Sequence, residues 1–299
     1  MPYLLILLLV LLAGCGGGSP TTPAAAVTSP SPTPFPRQVV IVSIDGLRPD
    51  AIAKADTGNI KALAARGAYT WEARTIMPSN TLPSHVSMLT AFPAEVHRIL
   101  WDEYLPLRGR LTVPSVFTAL RAAGMRSAMI VGENKFDYFR DTGVVDASVV
   151  VAGGDDEVTA RALAEVPSGF NVMFVHFPDV DLAGHSRSWM SSGYLERVVH
   201  ADQAVGRLVA ALPWWATVIL TADHGGGSRA NNHGTAAPCD MTIPWIVSGP
   251  GTLRGYRLST EVHTTDTAAT AAYLLGVDLP AGVVGEPVTE AFAPGRPAR

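Results

Sequence analysis

Strongly apolar runs alternate with amphipathic segments from Arg37 to the end of the chain. Three runs are almost continuously apolar, as is typical of strands buried on both faces; they cover residues 38–44, 170–177 and 216–222. Shorter strands are predicted over residues 126–131, 148–151 and 243–247. Helices are predicted over residues 59–66, 114–123, 155–165, 191–212 and 264–275. This alternation predicts an α/β three-layer sandwich, with a mainly parallel central sheet and helices on both faces.

The first 36 residues have a different pattern and are not expected to belong to this fold. The apolar run over residues 3–12 is shorter than the roughly 20 residues that span a bilayer, and it suits the hydrophobic part of a signal peptide. It ends in LAGC, which resembles a bacterial lipobox with Cys15 as the lipidated residue, although no Lys or Arg precedes the run. An uncleaved anchor or an ordinary signal peptide is the alternative.

Residues 16–36 are rich in Pro, Ser, Thr and Ala and carry no charge, which favours an extended linker over a folded core. The sequence is therefore divided into a lipoprotein-type signal segment (1–15), a linker (16–36) and a single catalytic domain (37–299). We expect an exported bacterial protein, anchored to a membrane by lipid at Cys15, with its domain on the extracytoplasmic side.

Charge and cysteine content narrow the possible partners. The formal net charge is -4 and charged residues make up 16% of the chain, so no basic surface for docking nucleic acid is expected. Cys15 and Cys239 are the two cysteines, and a lipidated Cys15 would leave Cys239 without a partner, so no disulfide is expected. The sequence does not determine the oligomeric state.

Candidate metal ligands follow the three strongly apolar runs: Asp45 follows the first, Asp181 and His185 the second, and Asp223 and His224 the third. His233, in NNHGT, is the sixth candidate ligand. Because sites in such sheets lie beyond the carboxyl ends of the strands, their side chains are expected to meet at one edge. Mixed Asp and His ligands suit divalent metal ions, with Zn²⁺ as the best match, and two such ions can clamp the attacking and leaving oxygens of an in-line displacement. His263 is a rival to His233, and we favour His233.

Thr81, in the sequence MPSNTLPSH, is the candidate nucleophile. Thr is a common N-cap residue, and Pro83 fits the first turn of a following helix. A hydroxyl at a helix N-terminus lies where anions bind well, and a metal ion on its oxygen would make it a better nucleophile. A plain N-cap is the alternative for Thr81 taken alone, and the neighbouring ligand set favours the nucleophile.

Together these motifs resemble the alkaline phosphatase superfamily, and most closely its type I phosphodiesterase/nucleotide pyrophosphatase branch. The matching stretches are IDGLRPD after a strand, TLPSH with MLTAFPAEVHRI behind it, DLAGH, DHG, and HGT followed by DMTIPWIVSGPG. They cover nearly all of residues 37–287 in the family's order. The resemblance implies an alkaline-phosphatase-like fold and a hydrolase of phosphate esters that forms a covalent phospho-Thr intermediate at Thr81.

The resemblance also implies how the ligands are divided between two metal ions. One ion, which activates the nucleophile, would be surrounded by Asp45, Thr81, Asp223 and His224. The other ion, which polarises the leaving group, would be held by Asp181, His185 and His233.

Three further residues are candidate substrate contacts: Asn80, Asp102 and Lys135. By its spacing from Thr81, Asp102 falls where the family has a phosphate-contacting Asn, and a carboxylate there would repel an anionic phosphoryl group unless it is protonated or screened. Glu133 stands where the similar phosphonoacetate hydrolases have one of two Lys residues, which counts against phosphonoacetate as substrate. Thr81 cannot be converted to formylglycine, so sulfatase activity of that kind is not expected.

A small phosphate ester is thus the expected substrate, with phosphodiesters and nucleotide pyrophosphates favoured. A phosphomonoesterase or a phosphonate hydrolase on the same site is one alternative. A catalytically silent, tethered binding protein is the other, and Asp102 is the feature that keeps it open. The sequence does not determine the leaving group or the native metal.

Overall fold

A computed structural model describes Met1 and residues 37–293 of the chain. The predicted lipidation site Cys15, the rest of the signal segment beyond Met1 and the linker lie outside the described residues. Within residues 37–293, no helix is both long enough and apolar enough to cross a membrane.

Eight strands and eleven α-helices make up the described part of the chain. The strands are β1 (Val39–Ile44), β2 (Ala68–Arg74), β3 (Ser127–Val131), β4 (Ala147–Val150), β5 (Val172–Phe177), β6 (Thr217–Thr221), β7 (Thr242–Ser248) and β8 (Tyr256–Arg257). The helices are α1 (Pro49–Lys54), α2 (Gly58–Arg66), α3 (Thr81–Thr90), α4 (Ala94–His97), α5 (Val116–Ala122), α6 (Asp137–Arg140), α7 (Gly154–Glu165), α8 (Asp179–Arg187), α9 (Ser192–Ala211), α10 (Pro238–Met241) and α11 (Asp266–Leu275).

The strands form one sheet in the order β4-β3-β5-β1-β6-β7-β2-β8. Every neighbouring pair is parallel except β6–β7 and β7–β2, so β7 alone runs against the other strands of this sheet. The three strongly apolar runs became β5, β1 and β6 at the centre, where every residue of each strand is buried. Their carboxyl ends therefore lie side by side at one edge of the sheet.

Helices cover the sheet in two groups. One group, α1, α2, α7 and α8, packs around the long helix α9, while α3 and α5 pack with α11. Helix α9 buries residues at helical spacing along one face, among them Tyr194, Val198, Val205 and Leu208. The predicted α/β sandwich with a mainly parallel sheet is confirmed.

Local sequence patterns predicted six of the eight strands and five of the helices to within two residues at each end. Only the start of α3 was expected, and β2, β8, α1, α4, α6, α8 and α10 were not predicted. Strand β2 alternates imperfectly between buried and half-exposed positions and lies among antiparallel neighbours. Helix α8 starts at Asp179, so only Pro178 separates β5 from the helix that carries Asp181 and His185. Its sequence DVDLAGHSR has a weak apolar face, and packing on α9 supports it.

Candidate active site

The carboxyl ends of β1, β5 and β6 bring together side chains that are far apart in the sequence. Asp45 follows β1 directly, Asp223 and His224 follow β6, and β5 leads into α8 with Asp181 and His185. Asp45, Asp223 and His224 are completely buried, whereas the side chain of His185 is 38% exposed. The edge is therefore a deep site that opens to solvent beside His185.

The first ligand cluster surrounds Nε2 of His224. This atom lies 3.3 Å from Asp45 Oδ1 and 3.2 Å from Asp223 Oδ2. The hydroxyl Oγ1 of Thr81 lies 3.3 Å from the same nitrogen. These four residues are the set that the resemblance groups around one metal ion.

The second cluster lies beside the first, because the ring of His233 stacks on that of His224 with centroids 3.8 Å apart. Nε2 of His185 is 3.2 Å from Asp181 Oδ2 and 3.2 Å from Nε2 of His233. Asp181 Oδ1 is 3.7 Å from the latter nitrogen. The rival, His263, lies outside this cluster: its side chain is 51% exposed and faces Glu261.

Backbone carbonyls determine which nitrogen of each clustered histidine is free. The Nδ1 atoms of His224, His185 and His233 face carbonyl oxygens of Gly225 at 2.7 Å, Asn231 at 2.8 Å and Ser79 at 2.9 Å, respectively. Because a carbonyl can only accept, each Nδ1 carries a hydrogen, so in the neutral ring Nε2 is the nitrogen that keeps its lone pair. The two lone pairs that face each other between His185 and His233 would repel unless a cation lies between them.

The buried carboxylates of the site also have oxygens without any partner. Asp45 Oδ1, Asp181 Oδ1 and Asp223 Oδ2 are buried and have no hydrogen-bond partner. A buried carboxylate oxygen without a partner is unstable as a charged group. Three carboxylates and three imidazole lone pairs that converge in this way fit divalent metal ions, so the residues present match the metal site that the resemblance implies.

The pKa values of the two carboxylates nearest His224 shift in opposite directions. Burial alone would raise the pKa of Asp45, but the hydrogen bond to His176 and the electrostatic interaction with His224 hold it below its ordinary value. Burial, with the charges of Asp45 and Asp181, raises the pKa of Asp223 well above its ordinary value. Close buried carboxylates cannot both ionise without a counter-charge, which a metal ion would supply.

Two buried histidines support the ligands from behind. His176, on β5, lies with Nε2 3.0 Å from Asp45 Oδ2. His85, on α3, donates from Nδ1 to the Thr81 carbonyl at 2.7 Å, and its Nε2 accepts from Ser43 Oγ at 2.8 Å. These contacts fix the orientation of Asp45 and the first turn of α3.

Thr81 is the first residue of α3 and not its N-cap, so the structure does not support the plain N-cap alternative. Asn80 occupies the N-cap in an extended conformation, and its side chain does not cap the helix. The Thr81 hydroxyl is therefore not used by the backbone of the first turn and instead faces His224. The side chain is only 1% exposed, which holds it within the first cluster.

Asp102 lies next to Thr81, the candidate nucleophile, and has its own counter-ion. Its Oδ1 accepts from the Leu82 backbone N–H at 2.7 Å, and its Oδ2 lies 3.2 Å from Lys135 Nζ, which is also 3.1 Å from Glu133. Burial would lower the pKa of Lys135, but the charges of Glu133 and Asp102 raise it above its ordinary value, so Lys135 is charged. Lys135 therefore screens the negative charge of Asp102, which the sequence alone did not show.

Asn80, the third candidate substrate contact, lies against the segment that carries His233. A Cβ on Gly234 would come within 2.5 Å of Asn80 Oδ1. Asn80 thus sits between the start of α3 and the second cluster.

Sequence reasoning missed Asp240, which anchors the loop between β6 and α10. The completely buried carboxylate accepts from Ser228 Oγ at 2.5 Å, from Thr235 N at 3.0 Å and from Thr235 Oγ1 at 2.8 Å. These bonds close the loop that carries His233. In the sequence, Asp240 follows Pro238 and looks only like an acidic residue in a first helical turn.

Trp189 was also missed, because nothing near it in the sequence marks it as part of a site. Its ring packs on His185 and His233, with centroids 5.1 Å and 5.9 Å away. A Cβ on Gly226 would overlap the Trp189 ring, so that glycine makes room for the tryptophan. Trp189 can therefore pack beside the second cluster only because position 226 is a glycine.

A mainly parallel sheet with Asp and His clusters and a buried hydroxyl at its carboxyl edge is the arrangement of the alkaline phosphatase superfamily. The family described as type I phosphodiesterase / nucleotide pyrophosphatase matches residues 39–238. The chain belongs to this family, whose superfamily contains enzymes that act on phosphate esters.

The chain is 25% identical, over 308 residues, to GPI ethanolamine phosphate transferase 1 of Candida glabrata, an alignment that covers 84% of this chain and 33% of the relative. It therefore spans about a third of the length of such curated relatives.

Two solved structures share the fold. One is murine ectonucleotide pyrophosphatase/phosphodiesterase 5, an inactive variant in complex with AMP, with a TM-score of 0.72 and 14% identity over 86% of this chain and 100% of that chain. The other is a phosphonate monoester hydrolase from Silicibacter pomeroyi, with a TM-score of 0.67 and 16% identity over 87% and 78% of the two chains. At these identities the likeness shows the fold alone.

Proposed function

We propose that this protein is a two-metal hydrolase of phosphate esters, with Thr81 as nucleophile and a phosphodiester or nucleotide pyrophosphate as substrate. The observation that carries the proposal is the position of Thr81 Oγ1, 3.3 Å from His224 Nε2 in a buried cluster with Asp45 and Asp223. Membership of the phosphodiesterase family supports the choice of substrate.

Asp45, Asp223 and His224 would hold one divalent ion beside Thr81, and Asp181, His185 and His233 would hold the second. When bound, such ions, with Zn²⁺ as the best match for this donor set, supply positive charge that activates the hydroxyl and stabilises the transferring phosphoryl group. His176 and His85 keep Asp45 and the start of α3 in place for this arrangement.

In the first step, Thr81 Oγ1 forms a bond to phosphorus while the bond to the leaving oxygen breaks, and the hydroxyl proton is passed on to the released alcohol. In the second step, water attacks the phospho-Thr, which restores the Thr81 hydroxyl and releases a phosphate monoester. The positive N-terminal end of α3 lies at the reacting group and favours its negative charge.

The test is to load the purified protein with Zn²⁺ and compare hydrolysis of bis-p-nitrophenyl phosphate with that of p-nitrophenyl phosphate. Wild type should cleave the diester faster, Thr81→Ala should lose roughly 10³-fold or more in kcat, and Thr81→Ser should keep part of the activity because it retains a hydroxyl. Faster monoester cleavage would support the phosphatase alternative. Unchanged cleavage by Thr81→Ala would reject Thr81 as the nucleophile.

A second candidate is transfer of the phosphoryl group to an acceptor alcohol instead of water. The similarity to GPI ethanolamine phosphate transferase 1 favours it. Thr81 would carry the same intermediate, and only the second step would differ. Adding ethanolamine to the diester assay distinguishes the two, because a transferase would form the ethanolamine phosphodiester at the expense of the free monoester.

We also propose that the protein is exported and held at a membrane through lipid on Cys15. The LAGC sequence and the uncharged linker over residues 16–36 support this proposal. The small phosphate-ester substrate would then be met on the extracytoplasmic side.

A further inference from the structure

A group of acidic and imidazole side chains lies outside the active site, where α7 and α8 begin beside the middle of α9. It consists of Asp155, Asp179 and His200. One carboxylate oxygen from each aspartate and one ring nitrogen of the histidine all lie within 4.8 Å of one another. The three residues come from three helices, so the group depends on tertiary packing.

Asp155 is completely buried yet only half satisfied. Its Oδ1 accepts from the Asp179 backbone N–H at 3.1 Å. Its Oδ2 is buried without a hydrogen-bond partner. Because buried carboxylate oxygens are normally paired, the free Oδ2 indicates that a ligand is missing at this point.

His200, the third member of the group, has one ring nitrogen with a partner and one without. Its Nε2 lies 3.2 Å from Asp156 Oδ2, which can only accept, so Nε2 carries the hydrogen. The other nitrogen, Nδ1, is buried and has no hydrogen-bond partner. A neutral imidazole whose second nitrogen is fixed by a carboxylate is the usual form of a metal ligand.

Asp179 lies against the first residue of α7. A Cβ on Gly154, which has a positive φ of 69°, would lie 2.5 Å from Asp179 Oδ1, so a side chain there would displace the carboxylate. The contact with Arg197 joins Nη1 to Asp179 Oδ2 at 3.8 Å and leaves the other oxygen available.

We propose that Asp155, Asp179 and His200 bind one divalent metal ion, separate from the active-site clusters. Two carboxylates and an imidazole suit Zn²⁺ or Mn²⁺. The ion would join the starts of α7 and α8 to α9. Since α8 also carries Asp181 and His185, this ion would hold the active-site ligand helix in place without contacting the substrate.

The experiment compares the metal content of four proteins. Wild type, Asp155→Asn, His200→Gln and the control Glu157→Gln are equilibrated with Zn²⁺, passed through a desalting column and analysed by mass spectrometry of metals. Glu157 is a partly exposed carboxylate on the same helix, outside the group. Asp155→Asn and His200→Gln should each hold one ion fewer per chain than wild type and the control. The active-site ligands are the same in all four proteins, so a difference in metal content between them reports on the second site alone.

Equal metal content in all four proteins would overturn the proposal. A second measurement is the rise in Tm when Zn²⁺ is added to chelator-treated protein, which should be smaller in both variants than in wild type. If Asp155→Asn is instead more stable than wild type and its response to Zn²⁺ is unchanged, Asp155 is a protonated carboxyl and not a ligand. Should the Asn variant fail to fold by circular dichroism, His200→Gln decides the outcome.

Discussion

At each clustered histidine of the active site, a backbone carbonyl oxygen decides which nitrogen can bind metal. The histidines were visible in the sequence, but the carbonyls of Ser79 and Asn231 come from segments far away along the chain. A sequence can therefore give the ligand types, whereas the tautomer depends on neighbours that only folding supplies.

The interpretation of Asp102 also depends on a neighbouring residue. By spacing alone it looked like a charge that opposes an anionic substrate. The ion pair with Lys135 and the hydrogen bond from Leu82 show a screened carboxylate that is held beside Thr81.

Replacing Asp102→Asn should lower KM for phosphate esters. The Asn oxygen can still accept from Leu82, while the lost charge removes repulsion and leaves Lys135 freer to meet the substrate. The expected gain is roughly 1 kcal/mol per substrate charge, so that it is larger for a monoester dianion than for a diester. Steady-state kinetics with both p-nitrophenyl substrates measure it.

Glu103→Gln is the matched control, because it neutralises the adjacent exposed carboxylate. It should leave KM for both substrates unchanged. A rise in KM for the Asp102→Asn protein would mean that the carboxylate itself is needed to position the site.

At the scale of elements, buried strands were predictable because their apolar character is a local property. Helix α8 was not, since DVDLAGHSR has little apolar periodicity and relies on contact with α9. Because α8 is helical, Asp181 and His185, four residues apart, lie on one face, and both reach the second cluster.

Asp240 should be required for the loop that carries His233. In wild type, Ser228 and Thr235 donate hydrogen bonds to the Asp240 carboxylate. In Asp240→Asn, an amide N–H₂ group replaces one of the accepting oxygens and cannot accept from these donors, so we expect a loss of about 2 kcal/mol in the free energy of unfolding. Zn²⁺ affinity and phosphodiesterase activity should fall as well, measured by metal titration and by the diester assay.

Asp278→Asn, at an exposed aspartate, is the control for Asp240→Asn and should change none of these quantities. If Asp240→Asn binds Zn²⁺ and turns over as wild type does, the loop is held by other contacts.

Helix α4 should make stability sensitive to acid through His97. Burial lowers the pKa of His97 from 6.5 to about 4, although the charge of Glu95 opposes this shift. Its Nδ1 accepts a hydrogen bond from the Ile99 backbone N–H at 3.1 Å. Protonation of Nδ1 would remove this bond and place the new N–H opposite the N–H of Ile99. Because the folded pKa is the lower one, this stability is present above pH 6.5 and is lost between pH 6.5 and 4, by up to about 3 kcal/mol.

Urea unfolding between pH 7 and pH 4 measures this effect. His97→Gln should show a smaller loss of stability over that interval than wild type, even if it is less stable at pH 7. His263→Gln, at an exposed histidine, should keep the wild-type slope. An unchanged slope in His97→Gln would place the acid sensitivity elsewhere.

At the scale of the whole molecule, the order of strands decides which predicted residues meet. β1 lies between β5 and β6, so the residues that follow β1 share one edge with those that follow the other two strands, although more than 100 positions separate them. No local pattern encodes this order, which follows from how the helices cover both faces.

The proposed anchor is also a property of the whole molecule. Cys15→Ser should move the protein from the membrane fraction to the soluble fraction of the producing bacterium, because the lipidated residue is lost. Cell fractionation followed by immunoblotting measures the distribution, with Cys239→Ser as control. A Cys15→Ser protein that stays with the membrane would contradict lipidation.

By itself, the sequence determined the α/β class and the central strands, and it predicted the candidate Asp and His ligands and Thr81, because apolar periodicity and the residues at strand ends are local features. Only the tertiary structure decided that Lys135 screens Asp102, that Asp240 and Trp189 support His233 and its loop, and that Asp155, Asp179 and His200 meet. Each of these depends on contacts between segments distant in the chain, and such contacts arise when strands and helices pack together.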